Sequence, residues 1–248
     1  MSSKASRQHD QAYVLHSRSF RNTSLIVEIF TREHGKFSVV ARGARQNKSS
    51  FYSLLQPFAQ LLMQWGGGGE MPTLYSAELN NRPSSLLNRQ IYSGFYLNEL
   101  LMHLLHRHDP HPALFDIYRQ TLEKIRQDEH VDVALRYFEL DLLEQLGYGI
   151  NLQDDTVTGK RVIDDERYTY LIEQGPARSL DRDEQGMLVS GKTLRLMSER
   201  SLAGQTERKE AKLLLRSILD HYLGHKPLKT RELLQSRNRV ITSTKQGN

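Results

Sequence analysis

The sequence predicts an α+β chain whose first third is a small closed five-stranded β-barrel and whose remainder is helical. Three observations carry that prediction. Five short β-rich runs with turn residues between them crowd into the first 80 residues, and no helical segment alternates with them. From residue 81 onward the apolar positions recur at three- and four-residue spacing instead. The charge changes with the pattern: residues 1–80 carry net +4, 81–150 net −3, 151–190 net −4 and 191–248 net +8, for +5 in all.

After a polar leader, residues 12–17 form the first predicted strand and the polar stretch 18–24 a loop. The β-branched run 25–30 and the run 36–41 are joined through His34 and Gly35, a hairpin signal. A polar, basic loop follows over 42–50. The next strand, 60–65, ends in Gly66, Gly67, Gly68 and Gly69, which read as a turn into the last strand, 73–79. These elements define an expected barrel domain over residues 1–80.

Pro83, Ser84 and Ser85 then signal a helix start. Leu87, Ile91, Phe95, Leu97, Leu100, Leu101 and Leu104 make the apolar stripe of a helix over 86–105. Pro112 opens a second helix with Leu114, Phe115, Ile117, Tyr118, Leu122 and Ile125 as its stripe, and a third, 131–146, stops at Gly147. Residues 149–190 form an acidic, irregular insert with weak strand signals at 167–173 and 187–189. Helices over 193–198 and 207–223 follow, the second ended by Gly224, and the tail 236–248 is polar and predicted to be disordered. The expected helical domain therefore spans 81–248.

Composition narrows the function classes. Hydrophobic residues make up 38% and charged residues 25% of 248, enough for a core under a very polar surface. No run approaches the roughly 18 apolar residues that a membrane-spanning helix needs, and residues 1–11 lack the apolar segment of a signal peptide. Cysteine is absent, which excludes disulfides, a thiol nucleophile and cysteine-ligated metals. A cytoplasmic protein is expected. Basic ends flanking an acidic middle favour a polyanionic partner held by the ends.

One motif matches a catalytic pattern in full. Gly186 to Thr193 fits G-x-x-x-x-G-K-[ST], the phosphate loop of nucleotidases. Such a loop is delivered by a buried strand, yet Asp181, Arg182, Asp183, Glu184 and Gln185 precede it, and Met187, Leu188 and Val189 fall inside it. It reads as a short strand and a turn before a helix. His103, His106, His108 and His111 cluster in sequence, but only His103 and His106 share a helical face, so solvent-facing histidines are expected. Asp154 and Asp155, and Asp164, Asp165 and Glu166, lack calcium-loop spacing and read as solvated loop. No catalytic residue, cofactor or metal site is predicted.

Binding signals are stronger. Arg42, Arg45 and Lys48 share one barrel loop, with Arg18, Arg21, Arg32 and Lys36 on neighbouring strand ends and loops and Phe37, Phe51 and Tyr52 among them. Cations interleaved with aromatics suit a phosphate backbone and stacked bases. Phe37, inside a strand, is expected in the core. Arg208, Lys212 and Arg216 stand four apart on one helical face, and with Lys209, Lys226, Lys229 and Arg231 they form a second basic surface. An RNA- or ribosome-binding barrel fits these features as well as a DNA-binding one, and a nucleotidase through Gly186–Thr193 is the less favoured alternative.

Longer stretches then point to a family. Residues 12–17 (Ala-Tyr-Val-Leu-His-Ser), 23–27 (Thr-Ser-Leu-Ile-Val), 42–45 (Arg-Gly-Ala-Arg) and 55–58 (Leu-Gln-Pro-Phe) resemble the RecO family of recombination mediators. So do residues 92–101, Leu135-Arg136-Tyr137-Phe138-Glu139, Leu146-Gly147-Tyr148-Gly149 and residues 226–233. The resemblance keeps its order from about residue 12 to 234 and is greatest to the enterobacterial type.

The resemblance implies an N-terminal OB-fold, a helical C-terminal domain and a non-enzymatic role in recombinational repair. It implies binding of single- and double-stranded DNA and annealing of complementary strands. It also implies that, with the partner RecR, the protein helps RecA load onto strands coated by single-stranded-DNA-binding protein (SSB). By position, Arg42, Arg45 and Lys48 match the family's DNA-facing surface, and Arg136 matches an arginine that holds the acidic, hydrophobic C-terminal tail of SSB. A guanidinium fork suits such a tail's carboxylate; Asp132 or Asp141 is the alternative ion-pair partner for Arg136. Many relatives carry a four-cysteine zinc module after the Leu-Gly-Tyr motif, and this chain, without cysteine, departs from that pattern. The protein is expected to be monomeric alone, without a membrane partner, and nucleoid-associated.

Overall fold

A computed structural model describes residues 7–46, 49–80, 86–87, 89–127, 130–178, 186–224 and 226–233. The described chain forms two compact units, residues 1–128 with 228–248, and residues 129–227.

The first unit is built on a closed barrel of strands β1 (Gln8–Phe20), β2 (Ser24–Thr31), β3 (Gly35–Ala41), β4 (Gln60–Gly66) and β5 (Thr73–Leu79). Neighbours run in the order β1-β2-β3-β5-β4, and β4 returns to β1. β1 makes closure possible because it is long. Its first half pairs with β4, from Gln8 opposite Trp65 to Tyr13 opposite Gln60. From Ala12 to Phe20 it pairs with β2, across an irregularity between Val14 and His16, so that Ala12 and Tyr13 serve both neighbours. A parallel contact between Val40 and Thr73 joins β3 to β5. This is the OB topology that the resemblance implies.

Alternation places Val14, Val27, Ile29, Phe37, Val39, Leu61, Met63, Trp65 and Leu74 in the barrel's interior. β1 runs three residues past its predicted end, because Arg18, Ser19 and Phe20 still pair with Ile26, Leu25 and Ser24. The sequence reading also missed a short helix, α1 (Ser50–Leu54), between β3 and β4. Gly35 turns the β2–β3 hairpin at φ +70°, and a Cβ there would stand 2.2 Å from the Asp109 carbonyl oxygen. Only glycine fits that approach.

Helices α2 (Arg89–Leu104) and α3 (Pro112–Gln127) belong to the barrel's unit. The rings of Tyr13 and Phe115 lie 5.1 Å apart and those of Phe30 and Phe115 5.5 Å. Asn98 Nδ2 donates to the Leu15 carbonyl at 2.9 Å, and the Tyr118 hydroxyl donates to Asn98 Oδ1 at 2.5 Å. This buried chain satisfies every group that it brings in, which is what makes such burial tolerable. The chain returns to this unit after Leu228, where Glu99 accepts from the Lys229 and Thr230 amides at 2.8 and 3.0 Å.

The second unit holds α4 (Val131–Gln145), a three-stranded sheet, α5 (Gly191–Ser198) and α6 (Gln205–Tyr222). The sheet, ordered β7-β6-β8, consists of β6 (Arg167–Leu171), β7 (Gly175–Arg178) and β8 (Met187–Ser190). The stretch 149–190 is thus more regular than its sequence predicts. Ala211, Leu214, Leu215, Ile218 and Leu219 are the buried face of α6. Tyr148 stacks on Tyr222 with ring centroids 3.9 Å apart.

The acidic clusters are not all solvated loop. Asp155 is buried and accepts from the Thr158 hydroxyl at 2.7 Å and the amides of Val157 and Arg178 at 3.0 and 3.2 Å. Burial pushes its carboxyl up, but these bonds outweigh burial and hold it below the usual range. Among the described residues no group of three or more histidine, cysteine or acidic side chains could hold a metal. With no cysteine in the chain, its residues do not fit the zinc module of relatives. No described helix is long and apolar enough to cross a membrane. The expected tail, 236–248, lies outside the described residues.

Candidate nucleic-acid interface

Three stretches distant in sequence wall a cleft of about 820 Å³ on the barrel. The β1–β2 loop contributes Arg21, Asn22 and Thr23; the loop after β3 contributes Arg42, Gly43 and Gln46; the β4–β5 loop contributes Met71. Phe20, Ser24, Val40 and Thr73, at the ends of the strands, complete the lining. Backbone bonds fix the walls together. The Arg45 amide donates to the Thr23 carbonyl at 2.9 Å, and the Val40 amide to the Pro72 carbonyl at 2.9 Å. Gly43, at φ +68°, lets the Gln46 amide turn back to its carbonyl at 3.0 Å.

The lining carries two guanidinium groups, Arg21 and Arg42, and no carboxylate. Arg42 and Arg45 are exposed, and among the described residues neither side chain has a hydrogen-bond or ion-pair partner. Unopposed cations in a concave wall focus a positive potential where a phosphate chain would lie. Arg18 is exposed on β1. Lys48 lies outside the described residues. Arg32 and Lys36, expected nearby, are engaged elsewhere: Arg32 pairs with Asp116 at 3.0 Å, and buried Lys36 donates to the Met102 carbonyl at 2.5 Å. Phe37 is buried, as its place in a strand predicts, while Tyr52 is exposed on α1.

The sequence reading missed Phe20, Asn22, Gln46 and Met71. Residues 20–24, 40–46 and 71–73 share no local pattern, and only barrel closure brings them together.

The second basic surface is less open. Arg208 pairs with Asp132 at 3.3 Å and Arg216 with Asp220 at 3.6 Å, whereas Lys212 is exposed. Lys229 and Arg231 lie in the barrel's unit, and α6 does not. Arg231 sits over the Tyr96 ring at 5.7 Å. Arg136 is buried and forms its ion pair with Glu139, in place of the Asp132 or Asp141 weighed from sequence. Those two carboxylates are taken by Arg208 and Arg200.

The G-x-x-x-x-G-K-[ST] match makes no phosphate loop. Residues 187–190 are strand β8, and Ser190 caps α5 by accepting the Thr193 amide at 3.2 Å. Lys192 is bound to Glu207 at 2.7 Å, and that hydrogen bond raises its pKa; the Thr193 hydroxyl donates to Glu210 at 2.6 Å. A Cβ on Gly191 would stand 1.9 Å from the Ile163 carbonyl oxygen, so backbone occupies the approach. Of the clustered histidines, His108 stacks on Phe37 with centroids 5.0 Å apart, and His111 contacts Asp109 at 3.2 Å.

Comparison with known proteins agrees with this architecture. The family description "Recombination protein O N terminal" matches residues 4–82, and "Recombination protein O C terminal" matches residues 89–232. The chain is 43% identical to the DNA repair protein RecO of Methylococcus capsulatus over 227 residues, covering 92% of this chain and 93% of that one. It is 43% identical to the protein of the same name from Nitrosococcus oceani over 229 residues, covering 92% and 93%. With that of Aromatoleum aromaticum it shares 42% over 235 residues, covering 95% and 98%.

Proposed function

Because the chain belongs to the recombination protein O family, a family of non-enzymatic mediators of DNA repair and recombination, we propose that its three-loop barrel cleft is where it holds DNA. One observation carries this: the cleft is lined by Arg21 and Arg42, bordered by Arg45, and free of carboxylates. Arg18, exposed on β1, is assigned to the same interface; Lys48 is assigned with Arg42 and Arg45 by its place in the sequence alone. The chemistry is charge neutralisation. Cations that replace condensed counterions bring two phosphate backbones close enough for complementary strands to pair, and base pairing supplies the free energy.

We infer that both single- and double-stranded DNA bind, that complementary strands are annealed, and that with RecR the protein helps RecA load onto SSB-coated strands in the cytoplasm. The protein enters this assembly as a monomer and is concentrated there by the C-terminal tail of SSB, an effective-concentration gain. Arg136 on α4 is the residue that we assign to the tail. In support, it stands in Leu135-Arg136-Tyr137-Phe138-Glu139, the stretch that the family resemblance implies for the tail.

The test is titration of single-stranded and duplex oligonucleotides against the wild type and Arg42→Ala/Arg45→Ala, with RNA of the same sequence as competitor. The pair should weaken both DNA forms about five- to thirtyfold, which corresponds to about 1–2 kcal/mol lost over two phosphate contacts. Unchanged binding of both forms would remove the cleft from the mechanism.

A further inference from the structure

We propose that the ring of Phe20 is a stacking platform for one unpaired base, so that the cleft distinguishes a single strand from a duplex. The inference rests on the cleft being the DNA site and names what that site reads. Phe20 is the last residue of β1, half-buried, with its side chain in the cleft wall. Consecutive residues on a strand point to opposite faces. Here the strand ends, and Arg21 adopts φ +52°, a left-handed conformation that non-glycine residues rarely take. That turn brings the Arg21 guanidinium over the neighbouring ring, 5.2 Å from its centroid. That conformation closes the three-residue turn of residues 21–23 between β1 and β2.

The result is a π-face beside Arg21, in the wall of a cleft that Arg42 also lines and that has no carboxylate in its lining. In the free protein the Arg21 guanidinium covers that face. An exposed cation–π contact is worth a factor of about two to five, whereas a base stacked on an aromatic ring is worth about five- to a hundredfold. A base therefore displaces the guanidinium, which is then available to the adjoining phosphate. Arg42, on the loop after β3, meets the next phosphate, and Met71, 43% exposed on the third loop, gives the base an apolar edge contact. Away from its ends a duplex offers no free base face, since each base is already stacked on both sides. Arg21, Arg42 and Arg45 thus act on every DNA form, and Phe20 on single strands alone.

The test uses the full chain with a single strand carrying a fluorescent 2-aminopurine base, the same strand with an abasic site, and a duplex. Phe20→Leu keeps an apolar side chain at the strand end and removes the π-face. It should lose the quenching of the fluorescent base and about tenfold in affinity for the single strand, with duplex affinity unchanged; Phe20→Tyr should restore both. The wild type should prefer the intact strand over the abasic one, and Phe20→Leu should not. If Phe20→Leu keeps the quenching and the affinity, or the wild type binds abasic and intact strands alike, the stacking inference is wrong. The abasic comparison needs no variant and stands even if Phe20→Leu folds poorly. If Arg42→Ala/Arg45→Ala weakens both DNA forms while Phe20→Leu weakens neither, only the stacking inference falls. If the arginine variant binds both like the wild type, the cleft itself is misassigned.

Discussion

Arg195 grips Asp164 with a two-pronged fork, its Nε 2.8 Å from Oδ1 and its Nη2 2.8 Å from Oδ2. The pair ties α5 to the loop ahead of β6. It does so in the segment after the Leu146-Gly147-Tyr148 motif, where this chain has no cysteine. Glu166 and Arg178 pair at 2.7 Å nearby, and buried Asp155 gathers the loop before them. In this chain these contacts supplement the sheet β7-β6-β8 and its buried Tyr168, Tyr170, Ala177 and Val189.

The Arg195–Asp164 contact gives a signed expectation. The hydrogen bonds from Arg195 hold the Asp164 carboxyl below its ordinary value. A depressed carboxyl contributes stability that is full above the unfolded value near about 4 and is lost as pH falls through the folded one. Arg195→Lys cannot form the fork. It should melt at a lower temperature than the wild type at pH 7, and the gap should narrow as pH falls below about 4. Both side chains are more than a third exposed, so the gap should be small and should shrink in high salt. Thermal melts across that pH range, with and without salt, check this.

Lys36 gives the opposite slope. Burial lowers its ammonium from 10.5 to about 8, Glu28 opposing and Arg107 adding to that shift. Below pH 8 both the folded and unfolded chains hold the proton. Between 8 and 10.5 only the unfolded chain still binds it, so the folding stability contributed by this group rises with pH across that window. The rise should be about 2 kcal/mol, and Lys36→Met should abolish it. At pH 7 the methionine variant avoids the buried charge but leaves the Met102 carbonyl without its donor. Urea titrations at pH 7.5 and 10 on both proteins measure the difference.

What the sequence made legible follows from what each signal encodes. Alternation and 3.6-residue periodicity report which face of an element is buried, so the five strands and the long helices were readable from residues such as Ile26, Val39, Leu114 and Leu143. They carry no information on which body a helix packs against. The stripe of α3 gives no hint that Phe115 meets Tyr13 and Phe30 of the barrel. α1 and β7, five and four residues long, are too short to show a period. The cleft was legible only in part. Arg42 and Arg45 stand out in a basic loop, whereas Phe20 and Met71 join them through closure of the barrel. Lys36 and Arg136 look like surface cations in sequence and are buried, because their partners come from residues that only the fold or a helical turn supplies.

The two basic surfaces should differ in their dependence on salt. Each phosphate contact to a single strand adds about 0.7 to the slope of log K against log salt. Arg42 and Arg45 are unpaired among the described residues, so Arg42→Ala/Arg45→Ala should lower that slope by about 1.4. On α6, Arg208 and Arg216 are already shared with Asp132 and Asp220. Replacing either cation also frees a carboxylate, and the slope should fall by less per residue than at the barrel. Lys212→Ala, without such a pairing, should have the largest effect on that helix. Binding isotherms at four salt concentrations separate these cases, and equal slopes for all variants would remove both surfaces from phosphate contact.

Arg136 is the hardest of the assigned residues to test, because of what lies beneath it. Glu139 is 1% exposed and is ion-paired with Arg136, itself 7% exposed. Removing one member of a buried pair strands the other's charge, at a cost of about 3–5 kcal/mol. Arg136→Met alone should therefore be strongly destabilised, and loss of SSB-tail binding in that protein would say little about recognition. Replacing both charges, Arg136→Met with Glu139→Gln, should recover much of that stability, because no isolated charge remains. If Arg136 holds the tail, the repaired protein should still fail to bind a tail peptide while binding DNA normally. If peptide binding returns with stability, the arginine serves the fold of α4 and the tail is held elsewhere. Chemical denaturation of the single and double variants, followed by peptide titration of the double variant, decides between the two.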